Sequence, residues 1–156
     1  MGFVEAVIIR LANASDLDAI KALADRHKRE LGFVRRGALL ESIMHDHLLV
    51  AELQSQPVGF VQFHHRRDGQ TTIHVIVVDA DYRRRGVARQ LLDYLQTSCR
   101  TRGQTRIGLK CPVDLRANDF YRQSGFTLVA QEAGKIRALN LWQLSLQTIG
   151  VSLRVE

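Results

Sequence analysis

The chain has 156 residues, 46% of them hydrophobic, 24% charged and 6% aromatic, which fits one ordinary soluble domain and leaves no room for a second. A compact chain of this length removes roughly 68–70% of its unfolded surface from water, so its core needs neither a disulfide framework nor a structural metal. The formal charge of +6 rests on 18 Arg against only 4 Lys, a bias toward planar, fork-shaped cations that suits phosphate groups or nucleic acid.

Taken in order, Val7 to Leu11 is a short β-type run, and Asn13 or Ser15 then offers an N-cap for an amphipathic helix. That helix carries Leu17, Ile20, Leu23, Ala24 and Leu31 on one stripe. A basic loop from Gly32 to Arg36, with an exposed-looking Phe33, leads to a second, shorter helix after Gly37, where Leu39, Leu40, Ile43 and Met44 share a face. His47 to Leu53 and Val58 to His64 read as a hairpin, and Asp68-Gly69 supplies the next tight turn. Thr71 to Val78 ends in Val75-Ile76-Val77-Val78, too uniformly apolar for a one-sided sheet, and predicts a central strand covered on both faces.

The clearest helix follows Gly86, with Val87, Ala88, Leu91, Leu92, Leu95 and Cys99 on one stripe, ending near Gly103. Strand Thr105 to Cys111 comes next, and strand, helix, strand in that order implies parallel pairing through a right-handed crossover. A short helix from Asp114 to Ser124 stops at Gly125, and Phe126 to Gln131 with Ala138 to Ser145 form a closing hairpin. Residues 147–156 read as a tail or an interface segment.

The cysteines, Cys99 and Cys111, lack CxxC spacing and His partners, so neither a disulfide nor a metal site is expected. No leader pattern and no apolar run of spanning length is present, and the expected location is the cytoplasm, away from membranes.

The chemistry concentrates at Asp79-Ala80-Asp81-Tyr82-Arg83-Arg84-Arg85-Gly86-Val87-Ala88-Arg89. A helix N-terminus carries partial positive charge, so each exposed cation there costs about 0.3–1 kcal/mol. Arg83, Arg84, Arg85 and Arg89 break that rule, and a bound anion would reverse the sign of the effect. Gly86 and the small Ala88 would admit phosphate oxygens close to backbone N–H groups. The alternative is a solvated charge run on a surface turn. A strand before it and a long amphipathic helix after it favour an anion cradle, although neither GxxxxGK[ST] nor GxGxxG is present.

Arg83-x-x-Gly86-x-Ala88 resembles the [RQ]xxGx[GA] acyl-CoA pyrophosphate loop of the GNAT superfamily of N-acyltransferases. Ala117-Asn118-Asp119-Phe120-Tyr121-Arg122-Gln123-Ser124-Gly125-Phe126 resembles a second segment of that family, AN-x-FY-x-x-x-GF. The resemblance covers roughly residues 7–146. It implies one α/β domain over residues 1–156, with a mixed, mostly antiparallel central sheet flanked by about four helices.

The resemblance further implies that acetyl-CoA is the cosubstrate, with no metal, and that a primary amine accepts the acyl group. Ile76, Val77 and Val78 would line the pantetheine arm, and the Val78 N–H would polarise the thioester carbonyl. Backbone N–H groups of Arg83, Arg84, Arg85, Gly86, Val87 and Ala88 would hold the pyrophosphate. Arg84, Arg85 or Arg89 would reach further phosphate oxygens. Asn118 would contact CoA, and Tyr121 would contact it and protonate the departing thiolate.

The family's usual strand Glu is missing from Thr71 to Val78, and His74 is the candidate base in its place, with an unperturbed pKa of ~6.5 suited to that work. His64 and His65 are further candidates. Glu41, Asp46, Phe33, Arg35 and Trp142 are candidate walls of the acceptor pocket. Cys111 raises a covalent alternative that no nearby His motif supports.

Two other readings compete, an acyl-CoA-binding sensor without turnover and a small basic nucleic-acid module. The second is disfavoured because the arginines are not interleaved with stacking aromatics. A homodimer is left open.

Overall fold

The computed structural model describes residues 6–146, so the sequence-predicted tail lies outside the described residues. The elements are β1 (Ile8–Leu11), a 3-10 turn (Ala14–Asp16), α1 (Leu17–Arg26), α2 (Lys28–Leu31), α3 (Arg36–Met44), β2 (Leu48–Leu53), β3 (Gln56–His65) and β4 (Gln70–Val78). A second 3-10 turn (Ala80–Tyr82), α4 (Val87–Thr101), β5 (Arg106–Pro112), α5 (Ala117–Gln123), β6 (Thr127–Glu132) and β7 (Leu139–Ser145) complete them. The seven strands form one sheet in the order β1-β2-β3-β4-β5-β7-β6. β1–β2, β2–β3, β5–β7 and β6–β7 pair antiparallel, and β4–β5 is parallel. The architecture is the α/β, mostly antiparallel one expected, with five α-helices where about four were predicted.

Contacts gather the chain into two compact units. One holds the described residues up to His64 together with His74–Leu95, and the other holds His65–Ile73 with the described residues from Gln96 on.

In the first unit the core is Leu17, Ile20, Leu23 and Ala24 of α1, Leu39 and Ile43 of α3, and Leu48, Val50, Phe60 and Val77 of the strands. Burying each such aliphatic side chain is worth roughly 1.5–3 kcal/mol. Asn13 is the N-cap of the first turn. Its side chain accepts from the Ser15 N–H, and Asp16 reaches back to the Asn13 N–H at 2.8 Å. Arg10 grips Asp16 with two hydrogen bonds of 2.7 and 2.9 Å, and that guanidinium holds the Asp16 carboxyl below the usual carboxylate range.

Two helix predictions are corrected here. The predicted stripe from Leu17 to Leu31 is broken at His27, whose backbone leaves the helical region (φ −113°, ψ 27°) and whose ring is held by Glu30 and Asp79. In α3, Leu39 and Ile43 are buried but Leu40 and Met44 are 39% and 70% exposed. A helix apolar on several sides does not announce from spacing alone which side meets the core.

β4 follows its prediction only in part. Val77 and Val78 are buried, Val75 and Ile76 are half-buried and His74 is exposed. At its end Gly59 of β3 is obligatory, because a Cβ there would meet the Val77 carbonyl at 2.9 Å. The Asp79 N–H donates to the Val58 carbonyl at 2.8 Å, which fixes the strand's exit into the following loop.

In the second unit the parallel ladder runs from Gln70 opposite Arg106 to Ile73 opposite Leu109. β5 then pairs with β7 along its whole length, from Arg106 opposite Ser145 to Pro112 opposite Leu139. Ile107, Leu109, Tyr121, Phe126 and Trp142 are buried there. Gly125, at φ +94°, ends α5 in the left-handed conformation that favours glycine.

Candidate active site

The loop into α4 leaves backbone donors and arginines uncommitted among the described residues. Arg84 and Gly86 have φ of +65° and +78°, and a Cβ on Gly86 would meet nothing within 4 Å, so the space over the loop is open. The first helical hydrogen bond of α4 runs from the Gln90 N–H to the Gly86 carbonyl. The N–H groups of Arg84 through Arg89 have no partner among the described residues. No acidic residue sits in the first turn of α4 to absorb the dipole. Arg84 and Arg89 are exposed and free of ion pairs among the described residues, while Arg85 lies over the Tyr82 ring at 5.3 Å. Unpaired donors, open space and uncompensated cations together fit a diphosphate.

Arg83 differs from its neighbours. Its N–H donates to the Ala80 carbonyl at 3.5 Å, closing the turn, so it is not a spare donor. Its side chain turns back onto the protein. Nε donates to the Val78 carbonyl at 2.9 Å, and one terminal nitrogen reaches Glu30 at 3.1 Å and His27 Nδ1 at 3.3 Å. His27 Nε2 lies 3.3 Å from Asp79, which Arg26 also contacts at 3.3 Å. The expected pyrophosphate role of Arg83 is therefore replaced by a tether that holds the strand end, the α1–α2 junction and the loop in one network.

The same unit contains a pocket of about 480 Å³ lined by Ala38, Glu41, Ser42, His45, His47, Gln62, Phe63, His64 and His74. Its histidines stack on one another. The rings of His47 and His64 lie edge to face at 5.2 Å, and those of His45 and His47 are stacked at 6.3 Å. Loss of solvent, and then the neighbouring His64, lower the pKa of His74 below its ordinary 6.5, which keeps it neutral at pH 7. His45 Nδ1 lies 2.9 Å from the Glu41 carbonyl and must donate to it.

Of these residues, His74, His64 and Glu41 were expected near the acceptor or the base. His45, His47, Ser42 and Gln62 were missed. The signal was available, because His45 and His47 precede β2 while His64 ends β3, and a hairpin brings those two points together.

In the second unit Tyr121 is 6% exposed, its ring edge to face with Phe120 and Phe126 at 5.6 Å each. Its hydroxyl has no hydrogen-bond partner among the described residues. Burial, and then Cys111, push its pKa well above 10, so the phenol is protonated at every pH near neutrality. Asn118 is saturated. Its Nδ2 donates to the carbonyls of Pro112 and Leu115 at 2.8 Å each and Val113 at 3.4 Å. Its Oδ1 accepts from Asn140 at 3.0 Å and Trp142 at 2.8 Å. No side-chain donor or acceptor of Asn118 remains for a CoA contact.

The remaining candidates fall elsewhere. Trp142 is buried under Arg122, Phe33 is 71% exposed beneath Lys21, and His65 Nδ1 lies 2.8 Å from Thr71 Oγ1. Arg35 and Asp46 are exposed and line no described pocket. Cys111 is buried, and burial pushes its thiol up to about 11, which leaves almost no thiolate for a covalent step.

Comparison with known proteins agrees with this geometry. No curated protein sequence matches the chain. Among solved structures it is similar to Ard1 from Thermoplasma volcanium, at 20% identity over 91% of this chain and 99% of that one, with a TM-score of 0.83. It is similar to the ribosomal-protein-S18-alanine N-acetyltransferase of Escherichia coli, at 18% identity over 96% and 100% of the two chains, with a TM-score of 0.78. It also resembles the paia N-acetyltransferase of Thermoplasma acidophilum solved with coenzyme A, at 15% identity over 90% and 99%, with a TM-score of 0.77. The sequence profile of the acetyltransferase (GNAT) family matches residues 16–126. With that match spanning most of the chain, and with the fold and the anion cradle in agreement, the protein belongs to the acetyltransferase (GNAT) family.

Proposed function

We propose that the protein transfers an acetyl or other short acyl group from acyl-CoA to a primary amine by direct attack, with both substrates bound. The observation that carries this reading is the run of partnerless N–H groups from Arg84 to Arg89, opened by positive φ at Arg84 and Gly86. Those donors, with the side chains of Arg84 and Arg89, hold the pyrophosphate. Arg83 acts one step removed, by fixing the Val78 carbonyl and so the strand end that follows Ile76 and Val77.

The amine nitrogen forms the new C–N bond, the carbonyl charge is taken by the Val78 N–H, and the C–S bond breaks. A donor of that kind contributes ~2.7–4 kcal/mol in comparable sites. The ammonium proton goes to neutral His74. For a Lys-like amine this transfer is uphill by about 4 pKa units, or roughly 5 kcal/mol, so proton loss is coupled to attack rather than completed before it. Tyr121, protonated and with no hydrogen-bond partner for its hydroxyl among the described residues, gives its proton to the departing thiolate, and the second N–H proton of the acylated amine returns to the phenolate through solvent. Asn118 holds α5 in place and thereby Tyr121.

Release of free CoA thiol on mixing acetyl-CoA with a panel of amines tests this directly. Amine-dependent release is expected. Binding of acetyl-CoA with no release on any amine would leave only the sensor reading.

A further inference from the structure

The pocket in the first unit carries one formal charge, Glu41, and neither Lys nor Arg lines it. Glu41 is exposed, and its carboxylate has no ion-pair partner among the described residues. Gln62 adds a second, independent sign. Its side chain is buried, 7% exposed, and lies 3.5 Å from the Ala38 carbonyl and 2.9 Å from Ser42 Oγ. A carbonyl can only accept, so the amide nitrogen must face Ala38, and Gln62 Oε1 is left without a partner among the described residues. Gln62 itself lines the pocket.

His45 commits its Nδ1–H to the Glu41 carbonyl, and His74 is neutral near pH 7. The one formal charge among the lining residues is thus an anion, with the Gln62 Oε1 acceptor in the same lining and no Lys or Arg to pair with a carboxylate. Among the described residues no group of three His, Cys, Asp or Glu is arranged to hold a metal ion. A volume of about 480 Å³ falls in the range of small-molecule sites.

Building on the acyltransferase reading, we infer that the acceptor is a small aliphatic diamine or polyamine, its reacting nitrogen beside His74 and its second ammonium held by Glu41 and Gln62 Oε1. A free amino acid of equal length, which brings a carboxylate into an anionic pocket, is rejected. Glu41 and Gln62 set specificity, and neither touches the bond being made.

The test compares thiol release from acetyl-CoA with 1,5-diaminopentane, with lysine, which is the same diamine carrying a carboxylate, and with pentylamine, which lacks the second cation. The diamine is expected to lead both by about fivefold or more in kcat/KM, the upper range for an ion pair open to solvent. Glu41→Gln should erase the lead over pentylamine, with the change falling in KM for the diamine. Glu41→Lys should invert the preference toward lysine. Equal rates with pentylamine and the diamine, a preference for lysine, or faster acetylation of a peptide amine than of any small amine would overturn the inference while leaving the acyltransferase reading intact. Should no amine release thiol, that reading itself fails. Calorimetric binding of diaminopentane to wild type and to Glu41→Gln, in the presence of CoA, then decides the pocket alone, with binding lost in the variant upholding it and equal or absent binding sinking it.

Discussion

From Arg84 to Arg89 six consecutive backbone N–H groups have no partner among the described residues, whereas at α5 the side chain of Asn118 alone makes five hydrogen bonds to protein atoms. Both segments carry a sequence motif of the same family. In the loop, polar groups are left unspent and the arginines uncompensated, an arrangement that costs stability until an anion arrives. At α5 Asn118 is saturated, whereas among the described residues neither the Tyr121 hydroxyl nor the buried Ser124 Oγ at the helix C-cap has a hydrogen-bond partner. A motif residue is therefore assigned to ligand or to scaffold by counting what its donors and acceptors already hold.

Substitutions in the two segments put that contrast to the test. The largest effect is expected from Tyr121→Phe, which removes the hydroxyl assigned as the acid. It should lower kcat by about 10²–10⁴-fold, the usual worth of a general acid, with acetyl-CoA affinity and melting temperature unchanged. Unchanged kcat would remove Tyr121 from the mechanism. Asn118→Ala should do the reverse. It leaves the Trp142 and Asn140 donors unsatisfied and should cost about 2–3 kcal/mol in a denaturant titration, with KM for acetyl-CoA little altered in the folded fraction. A large loss of CoA affinity at full stability would make Asn118 a ligand contact after all.

Smaller still is Arg89→Ala, where loss of one free guanidinium at the α4 N-terminus should weaken acetyl-CoA by about tenfold, roughly 1.4 kcal/mol, and flatten its salt dependence. Stability should hold or rise slightly. The least effect is a pH profile. Because the fold lowers the pKa of His74, the unfolded chain takes up that proton first. The associated stability is present above pH 6.5 and lost as pH falls below it. The acid limb of kcat/KM should likewise lie below 6.5 and disappear in His74→Gln. A limb at or above 6.5 that survives the substitution would assign the base elsewhere.

Much of the frame was legible in the sequence. Alternation marked the strands, the α4 stripe of Leu91, Leu92, Leu95 and Cys99 is buried as expected, and Gly86 and Gly125 sit at the positive φ their positions suggested. What escaped was set by distant partners. The break at His27 answers Asp79 and Arg83, more than fifty residues away, and no local propensity encodes that pull. Asn118 read as a ligand contact because its partners, Asn140 and Trp142, lie on β7. The pocket escaped because its histidines come from several elements, and only the β2–β3 register brings His47 and His64 together.

The most direct measurement is a thermal-shift titration with acetyl-CoA on the wild type and on Gly86→Glu, which puts a carboxylate at a φ of +78° over the loop donors. The wild type should gain about 2.7 kcal/mol at a hundredfold excess over Kd, while the variant, folded and melting within a few degrees of the wild type, gains nothing. Equal shifts in the two proteins, or no shift in either, would contradict the assignment of the Arg84–Arg89 loop as the diphosphate site.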